Sequence, residues 1–189
     1  ILSAILKKRN IKSIPLLGWQ LPIITDINHQ KAKIINIDKK RVYNYLNSYD
    51  VMVVAGFQGV DLNGHITSLG RGGSDTTAVA IAAAVDAERC DIYTDVDGVY
   101  SADPNISPEA KKIPKLAFEE MLEMSSTGAK VLHTRSVELA MKNNLILQVI
   151  SSITKKPGTL IVDDKQLIEK EIVSGVSYSK NESKITISG

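Results

Sequence analysis

The sequence predicts an α/β domain with a mainly parallel central sheet. Short apolar runs recur along it: VMVVAG (51–56), CDIYTDV (90–96) and LILQVISS (145–152). Segments of helical periodicity stand between them, and strands alternating with helices read as βαβ units. A third observation concerns ligands. Stretches rich in glycine and aspartate lie near the ends of strand-like runs, where open α/β sheets bind their ligands.

The elements follow in order. Residues 1–9 read as a helix already under way, with Ile1, Leu2, Ile5 and Leu6 at helical spacing. IPLLGW is strand-like, and IITD with KAKIINI forms a hairpin-like region. Residues 39–47 read as a helix. VMVVAG, with β-branched residues and a closing glycine, reads as a strand buried on both faces. Asn63-Gly64 sits between strand-like pieces, a strong hairpin signal. Ser74 and Asp75 are candidate caps for a helix that shows Ala78, Ile81, Ala82 and Val85 on one face. CDIYTDV is the next strand, followed by a loop turning at Asp97-Gly98. Pro114 and Lys115 are read as opening a helix with Phe118, Met121 and Leu122 on one face, broken at SSTG. A further helix is expected over 129–142, and LILQVISS as the final buried strand. The charged KQLIEKEI then connects to an alternating tail, which divides the chain into residues 1–164 and 165–189.

Composition narrows the function classes. Of 189 residues, 43% are hydrophobic and 23% charged, as in an ordinary folded domain. A net charge of +2 gives no reason to expect a nucleic-acid or membrane partner. The cluster Lys39-Lys40-Arg41 reads as solvated surface. Cys90 is the one cysteine, so no internal disulfide forms; it reads as a small buried hydrophobe, which fits a reducing cytoplasm. No apolar run approaches the ~20 residues of a membrane span, and no signal-peptide pattern opens the chain. Both ends read as the edges of a fragment.

Three stretches carry the chemistry. GRGGSDTTAVAIAAAV (70–85) sets three glycines, Arg71 and Asp75 before an alanine-rich helix. Glycines let backbone N–H groups approach a ligand, and a helix N-terminus favours negative charge. Arg71 offers a planar fork for a carboxylate or phosphate. The pattern is neither a P-loop nor GxGxxG, and a plain capped turn remains open. YTDVDGVYSADPN (93–105) holds Asp95, Asp97 and Asp103 in a loop after a strand, suited to Mg²⁺ or sugar hydroxyls. A loop of mere turn-formers is equally open. GAKVLHTR (128–135) places Lys130 at a helix start, where phosphate binds; an exposed lysine is the alternative. His133 has no partner at metal spacing, and His29 and His65 read as loop residues, so no metal site is expected.

In this order and spacing, the three stretches resemble the aspartokinases of the amino acid kinase family. The likeness runs through 53–104 and 116–140, and includes PGTLIV (157–162) and LLGWQLPIITD (16–26). It implies an amino-acid-kinase-like three-layer sandwich and phosphoryl transfer from Mg·ATP to the side-chain carboxylate of L-aspartate. That is the committed step toward lysine, threonine and methionine. Arg71 would clamp a substrate carboxylate, with Gly73, Ser74 and Asp75 beside it. Thr94 and Asp95 would contact the nucleoside. Tyr100, Ser101, Ala102, Asp103, Pro104 and Asn105 would line the ATP site, and Lys130 with Val131 would complete it.

The departures matter too. The family's Lys-Phe-Gly-Gly segment, with its catalytic lysine, would precede Ile1, so no catalytic residue is assigned and residues 1–189 alone are expected to be inactive. Asn105 stands where relatives often have Arg, and Thr134 where Pro is common. The tail 172–189 resembles the opening of an ACT domain, which implies a dimer in the intact protein. A non-catalytic nucleotide-binding or regulatory subunit, or a sibling amino acid kinase, are the competing readings.

Overall fold

The computed structural model describes residues 1–127, 131–154, 156–167 and 175–177. Helix α1 (Leu2–Lys8) leads into β1 (Ser13–Leu16). Strands β2 (Ile23–Thr25) and β3 (Ile34–Ile37) pair antiparallel, as the hairpin-like pattern implied. Helix α2 (Lys39–Leu46) is capped by the Asp38 carboxylate, which accepts from Arg41 N–H at 3.1 Å. Lys39, Lys40 and Arg41 are exposed, and Lys39 pairs with Asp86. Strand β4 (Val51–Val54) runs parallel to β1.

Strands β5 (Gln58–Val60) and β6 (Ile66–Ser68) form the hairpin that Asn63-Gly64 announces. Helix α3 (Gly73–Ala84) follows, then β7 (Arg89–Thr94), β8 (Val99–Tyr100), β9 (Lys112–Ile113) and β10 (Lys115–Ala117). Helices α4 (Phe118–Ser126) and α5 (Thr134–Lys142), then strands β11 (Ile146–Ser151) and β12 (Thr159–Val162), complete the domain. A short 3-10 turn, Asp164–Gln166, stands at the expected boundary. The tail expected to open a second domain lies outside the described residues, apart from 175–177.

Beyond the β1–β4 pair and the short β8–β9 pair, the described strands make two sheets. One has the order β10-β12-β11-β7; two of its three interfaces are parallel, and β11 with β12 is antiparallel. The other has the order β3-β2-β5-β6. Each sheet side has its own core. The larger gathers Cys90 and Ile92 of β7, Leu147 and Val149 of β11, Phe118 and Met121 of α4 and Val137 of α5. The smaller gathers Leu16, Leu21, Ile23 and Val42. Helix α3 is the wedge between them. Val79, Ala78 and Ala82 join the larger core, while Ala80, Ile81 and Ala84 join the smaller. A helix touching apolar groups on opposite sides has no polar stripe, and small side chains let both cores close on it.

Several expectations need correction. The residues of β4 are half-buried, not sealed on both faces, because β4 pairs only with β1 among the described residues. Pro114 and Lys115 do not open a helix: residues 115–117 pair with β12 as a strand. The helix starts at Phe118, where the Glu120 carboxylate accepts from Ala117 N–H at 3.0 Å. It also runs through Ser125 and Ser126 before ending. LILQVISS is not the last strand, and its burial alternates; Leu147, Val149 and Ser151 face inward. Helix α5 begins at Thr134, not near residue 129.

Candidate active site

The turn at residues 70–75 is built by backbone conformation. Gly70 and Gly72 adopt left-handed φ values of 75° and 72°, which other residues avoid. Space demands glycine as strictly. A Cβ on Gly72 would lie 2.3 Å from His133 Cγ, and one on Gly73 would lie 2.9 Å from the Phe57 ring. The first and third sequence stretches therefore meet here, with the His133 ring packed under the glycine turn. Gly56 approaches from the end of β4, where a Cβ would sit 3.4 Å from Ser74 Cα.

Ser74 and Asp75 are not the caps of α3. The cap position is Gly72, with no side-chain cap bond, because the glycine turn lets the helix start earlier. The Thr76 and Thr77 hydroxyls donate back to the Gly72 and Gly73 carbonyls at 2.9 and 2.7 Å. Gly73 and Thr76 N–H bond back to Gly70 and Gly72. That leaves the first-turn N–H groups of Ser74 and Asp75 directed out of the helix end, where an anion is favoured.

The charges of this turn are unspent. Arg71 is exposed and makes no hydrogen bond or ion pair among the described residues. Asp75 is partly buried, and among the described residues its hydrogen-bond partner is the Ser74 hydroxyl at 3.5 Å. Burial pushes the Asp75 carboxyl above its usual range, against the pull of Ser74 and His133. His133 Nδ1 is buried with no hydrogen-bond partner among the described residues. Among the described residues the site thus offers an unpaired cation, Arg71, and an acid with no salt bridge, Asp75, at a helix N-terminus.

Sequence reasoning missed the residues that hold this turn. Arg135 donates to the carbonyls of Leu69 at 2.9 Å and Ala32 at 2.8 Å, and so ties the turn to the β2–β3 loop. Phe57 takes φ 71° and binds Thr77 Oγ1 through its N–H at 3.1 Å. Leu69 N–H then bonds to the Phe57 carbonyl. Positive φ at a phenylalanine leaves no signature in sequence. The GFQG context supplies only a hint of a turn.

The second stretch is organised differently. Thr94 ends β7; its carbonyl accepts from Ser152 N–H and Oγ, and its hydroxyl donates to Asp95 at 3.0 Å. Asp95 is exposed. Asp97 accepts from the Tyr100 hydroxyl at 2.9 Å and lies 3.7 Å from Lys112 Nζ. The hydrogen bond to Asp97 raises the Tyr100 pKa, so the phenol stays protonated. Ser101 is tied to Lys111, and Ala102 is half-buried. Asp103 folds onto its own turn and accepts from Asn105 N–H and Nδ2 at 2.9 and 3.0 Å. Asn105 therefore braces Asp103. Pro104 is exposed in the same turn.

The loop has a buried anchor that sequence reasoning also missed. Thr159 Oγ1 accepts from Val99 N–H at 2.8 Å and donates to the Ile113 carbonyl at 2.6 Å. Gly158 beside it is obligatory, since a Cβ there would overlap the Val149 carbonyl. Lys130 lies outside the described residues. Val131 is not in a helix and packs against the larger core. Cys90 lies buried beneath, and burial, with Asp91 and Asp75, pushes its thiol up to about 11. It is no nucleophile at neutral pH.

Residues 1–151 match the amino acid kinase family. An aspartate kinase of Pseudomonas putida is 50% identical over 190 residues, and an aspartokinase of Pseudomonas aeruginosa is 51% identical over 191. Each alignment takes in 100% of this chain and 46% of the relative, so the chain spans about half the length of the curated relatives it matches. Among solved structures, aspartokinase III of E. coli in complex with aspartate and ADP superposes with TM-score 0.77 at 33% identity, covering 84% of this chain and 36% of that one. Aspartate kinase from Synechocystis superposes with TM-score 0.75 at 41% identity, covering 91% of this chain and 28% of that one. In fold and in sequence, the chain belongs to the amino acid kinase family.

Proposed function

We propose that this chain forms part of an ATP-dependent aspartokinase. The reaction transfers the γ-phosphoryl group of Mg·ATP to the side-chain carboxylate of L-aspartate, giving 4-phospho-L-aspartate and ADP. One observation carries the reading: Arg71 and Asp75 flank a helix N-terminus, and among the described residues neither makes a salt bridge. An amino acid offers the complementary pair, a carboxylate for Arg71 and an ammonium for Asp75. The E. coli relative is described with aspartate and ADP bound.

The chemistry suits these groups. A carboxylate nucleophile is already ionised at neutral pH and needs no base. Catalysis then rests on positioning and on neutralising two anions that must meet. Arg71, the open N–H groups of α3, Ser74 and Gly73 hold the acceptor. Thr94, Asp95, the 100–105 segment, Lys130 and Val131 make the nucleotide side. The two sides are joined by α3 packing against β7. A cytoplasmic setting, a role in lysine, threonine and methionine formation, and a dimer built through an ACT-type domain beginning in 165–189 belong to the same reading. They rest on the sequence resemblance.

The test is a substrate panel on the full-length protein. ADP release is followed with aspartate, glutamate, acetylglutamate, carbamate and uridylate as acceptors. Aspartate-dependent ADP release is expected. Turnover of glutamate but not aspartate assigns a sibling kinase, and nucleotide binding without turnover assigns a regulatory subunit.

A further inference from the structure

A second cluster of chemistry-bearing side chains lies away from the proposed kinase site. His29, in the loop between β2 and β3, faces the tip of the β5–β6 hairpin, which carries Asp61 and His65. One ligand atom from each of the three lies within 4.8 Å of the others. His65 Nδ1 is 3.1 Å from Asp61 Oδ2, and His29 Nε2 is 3.8 Å from the same oxygen. Ligands about 2.0–2.1 Å from a tetrahedral zinc stand roughly 3.3 Å apart, and these two distances bracket that spacing.

The surroundings already orient each donor. Asp61 is buried, and its Oδ1 accepts from Asn63 and His65 N–H at 2.9 Å each. Oδ2 is thereby turned toward the two imidazoles. His29 Nδ1 sits 3.3 Å from the Ile66 carbonyl. A carbonyl only accepts, so that contact puts a proton on Nδ1, and in the neutral ring the Nε2 lone pair faces Asp61. A backbone carbonyl behind the ring is the usual support of a metal-bound histidine. Without metal the His65 Nδ1–H donates to Oδ2; metal binding requires that ring to carry its proton on Nε2 instead, freeing the Nδ1 lone pair, while His29 Nε2 at 3.8 Å is too distant to bond the carboxylate. At that separation a cation held between the two atoms would bond both.

We propose that His29 Nε2, His65 Nδ1 and Asp61 Oδ2 form a surface site for a divalent transition metal, with zinc its natural occupant. Two imidazoles and a carboxylate suit zinc better than magnesium or calcium. The remaining coordination position is open to water. The ion would clamp the β2–β3 loop to the β5–β6 hairpin. The same loop already receives Ser68 N–H on the His29 carbonyl, and its Gln30 carbonyl lies against Gly70. The clamp therefore braces the outside of the glycine turn. No sequence spacing reveals it, because the loop and the hairpin meet only in the folded sheet.

The test uses tag-free, chelator-treated full-length protein. Zn²⁺ is titrated calorimetrically, and Co²⁺ serves as a spectroscopic stand-in. The wild type is expected to bind one Zn²⁺ that the His29→Ala/His65→Ala double variant lacks. Each single variant should weaken it by roughly tenfold or more. His29 is exposed and does not hydrogen-bond Asp61, so the metal-free His29→Ala variant should melt with the wild type, while variants lacking His65 lose its bond to the buried Asp61 and melt lower; added Zn²⁺ raises the melting temperature of the wild type alone. Should a variant melt early, His29→Gln and His65→Gln make the same comparison. Equal Zn²⁺ affinity and stoichiometry in wild type and double variant would overturn the site, as would a wild type that takes up no Zn²⁺.

Discussion

Two loops rich in glycine and aspartate, residues 70–75 and 93–105, treat their charges in opposite ways. In the first, Arg71 has no partner among the described residues and Asp75 has only the Ser74 hydroxyl at 3.5 Å. In the second, Asp97 is held by Tyr100 and Lys112, and Asp103 by Asn105. Composition makes the two loops look alike. Hydrogen-bond accounting separates them: the first keeps its charges for a ligand, while the second spends most of them on its own shape, with Asp95 the exposed exception.

The largest break in this contrast should come from Gly72→Ala. A left-handed backbone costs alanine about 1–2 kcal/mol, and the new Cβ collides with His133. Overpacking adds about 1–3 kcal/mol. Thermal melting and aspartate kinetics of the full-length protein should both show it, with a lower Tm and a large loss of kcat/KM. A wild-type Tm would contradict both the backbone penalty and the clash with His133.

Thr159→Val tests the other loop. It keeps shape but leaves Val99 N–H and the Ile113 carbonyl unpaired, for a loss of about 1–3 kcal/mol. A lower Tm and a raised KM for ATP are expected, with the KM for aspartate little changed. If aspartate KM rose as much as ATP KM, the two loops would not be separate units.

Asp75→Asn should divide stability from binding. Burial raises the Asp75 carboxyl above 3.8 in the fold. Its stabilising contribution is therefore full below the unfolded value and lost as pH rises through the raised folded one. At neutral pH the carboxylate is a burden, so the amide should hold or slightly raise Tm. Aspartate KM should rise by roughly tenfold, as loss of a charged hydrogen bond predicts. A fall in Tm at pH 7 with unchanged KM would make Asp75 a structural residue.

Much of the fold was legible in the sequence. Asn63-Gly64, the helix over 39–46 and the strand of CDIYT rest on local patterns that tertiary contacts leave intact. Residues 115–117 were not legible, because Leu116-Ala117 suits a strand and a helix equally and pairing with β12 decides. Residues 51–54 were overread: four apolar residues in a row signal burial but not how many faces are covered. The site was legible in its residue types and less so in its supports. Thr134 at the first position of α5 takes a place where proline is favoured. Arg135, Phe57 and Thr159 act through contacts distant in sequence, and no local pattern records those.

The central claim is that the 70–75 turn is a substrate carboxylate site. Arg71→Ala in the full-length protein tests it most directly, by aspartate KM, ATP KM and Tm measured together. Charge-assisted hydrogen bonds of about 1.5–3 kcal/mol correspond to roughly tenfold to hundredfold in binding. The account predicts a rise of that order in aspartate KM, with ATP KM and Tm near wild type, since Arg71 makes no internal hydrogen bond or ion pair among the described residues. An unchanged aspartate KM, or a lowered Tm that explains the loss, would contradict it and return Arg71 to the turn.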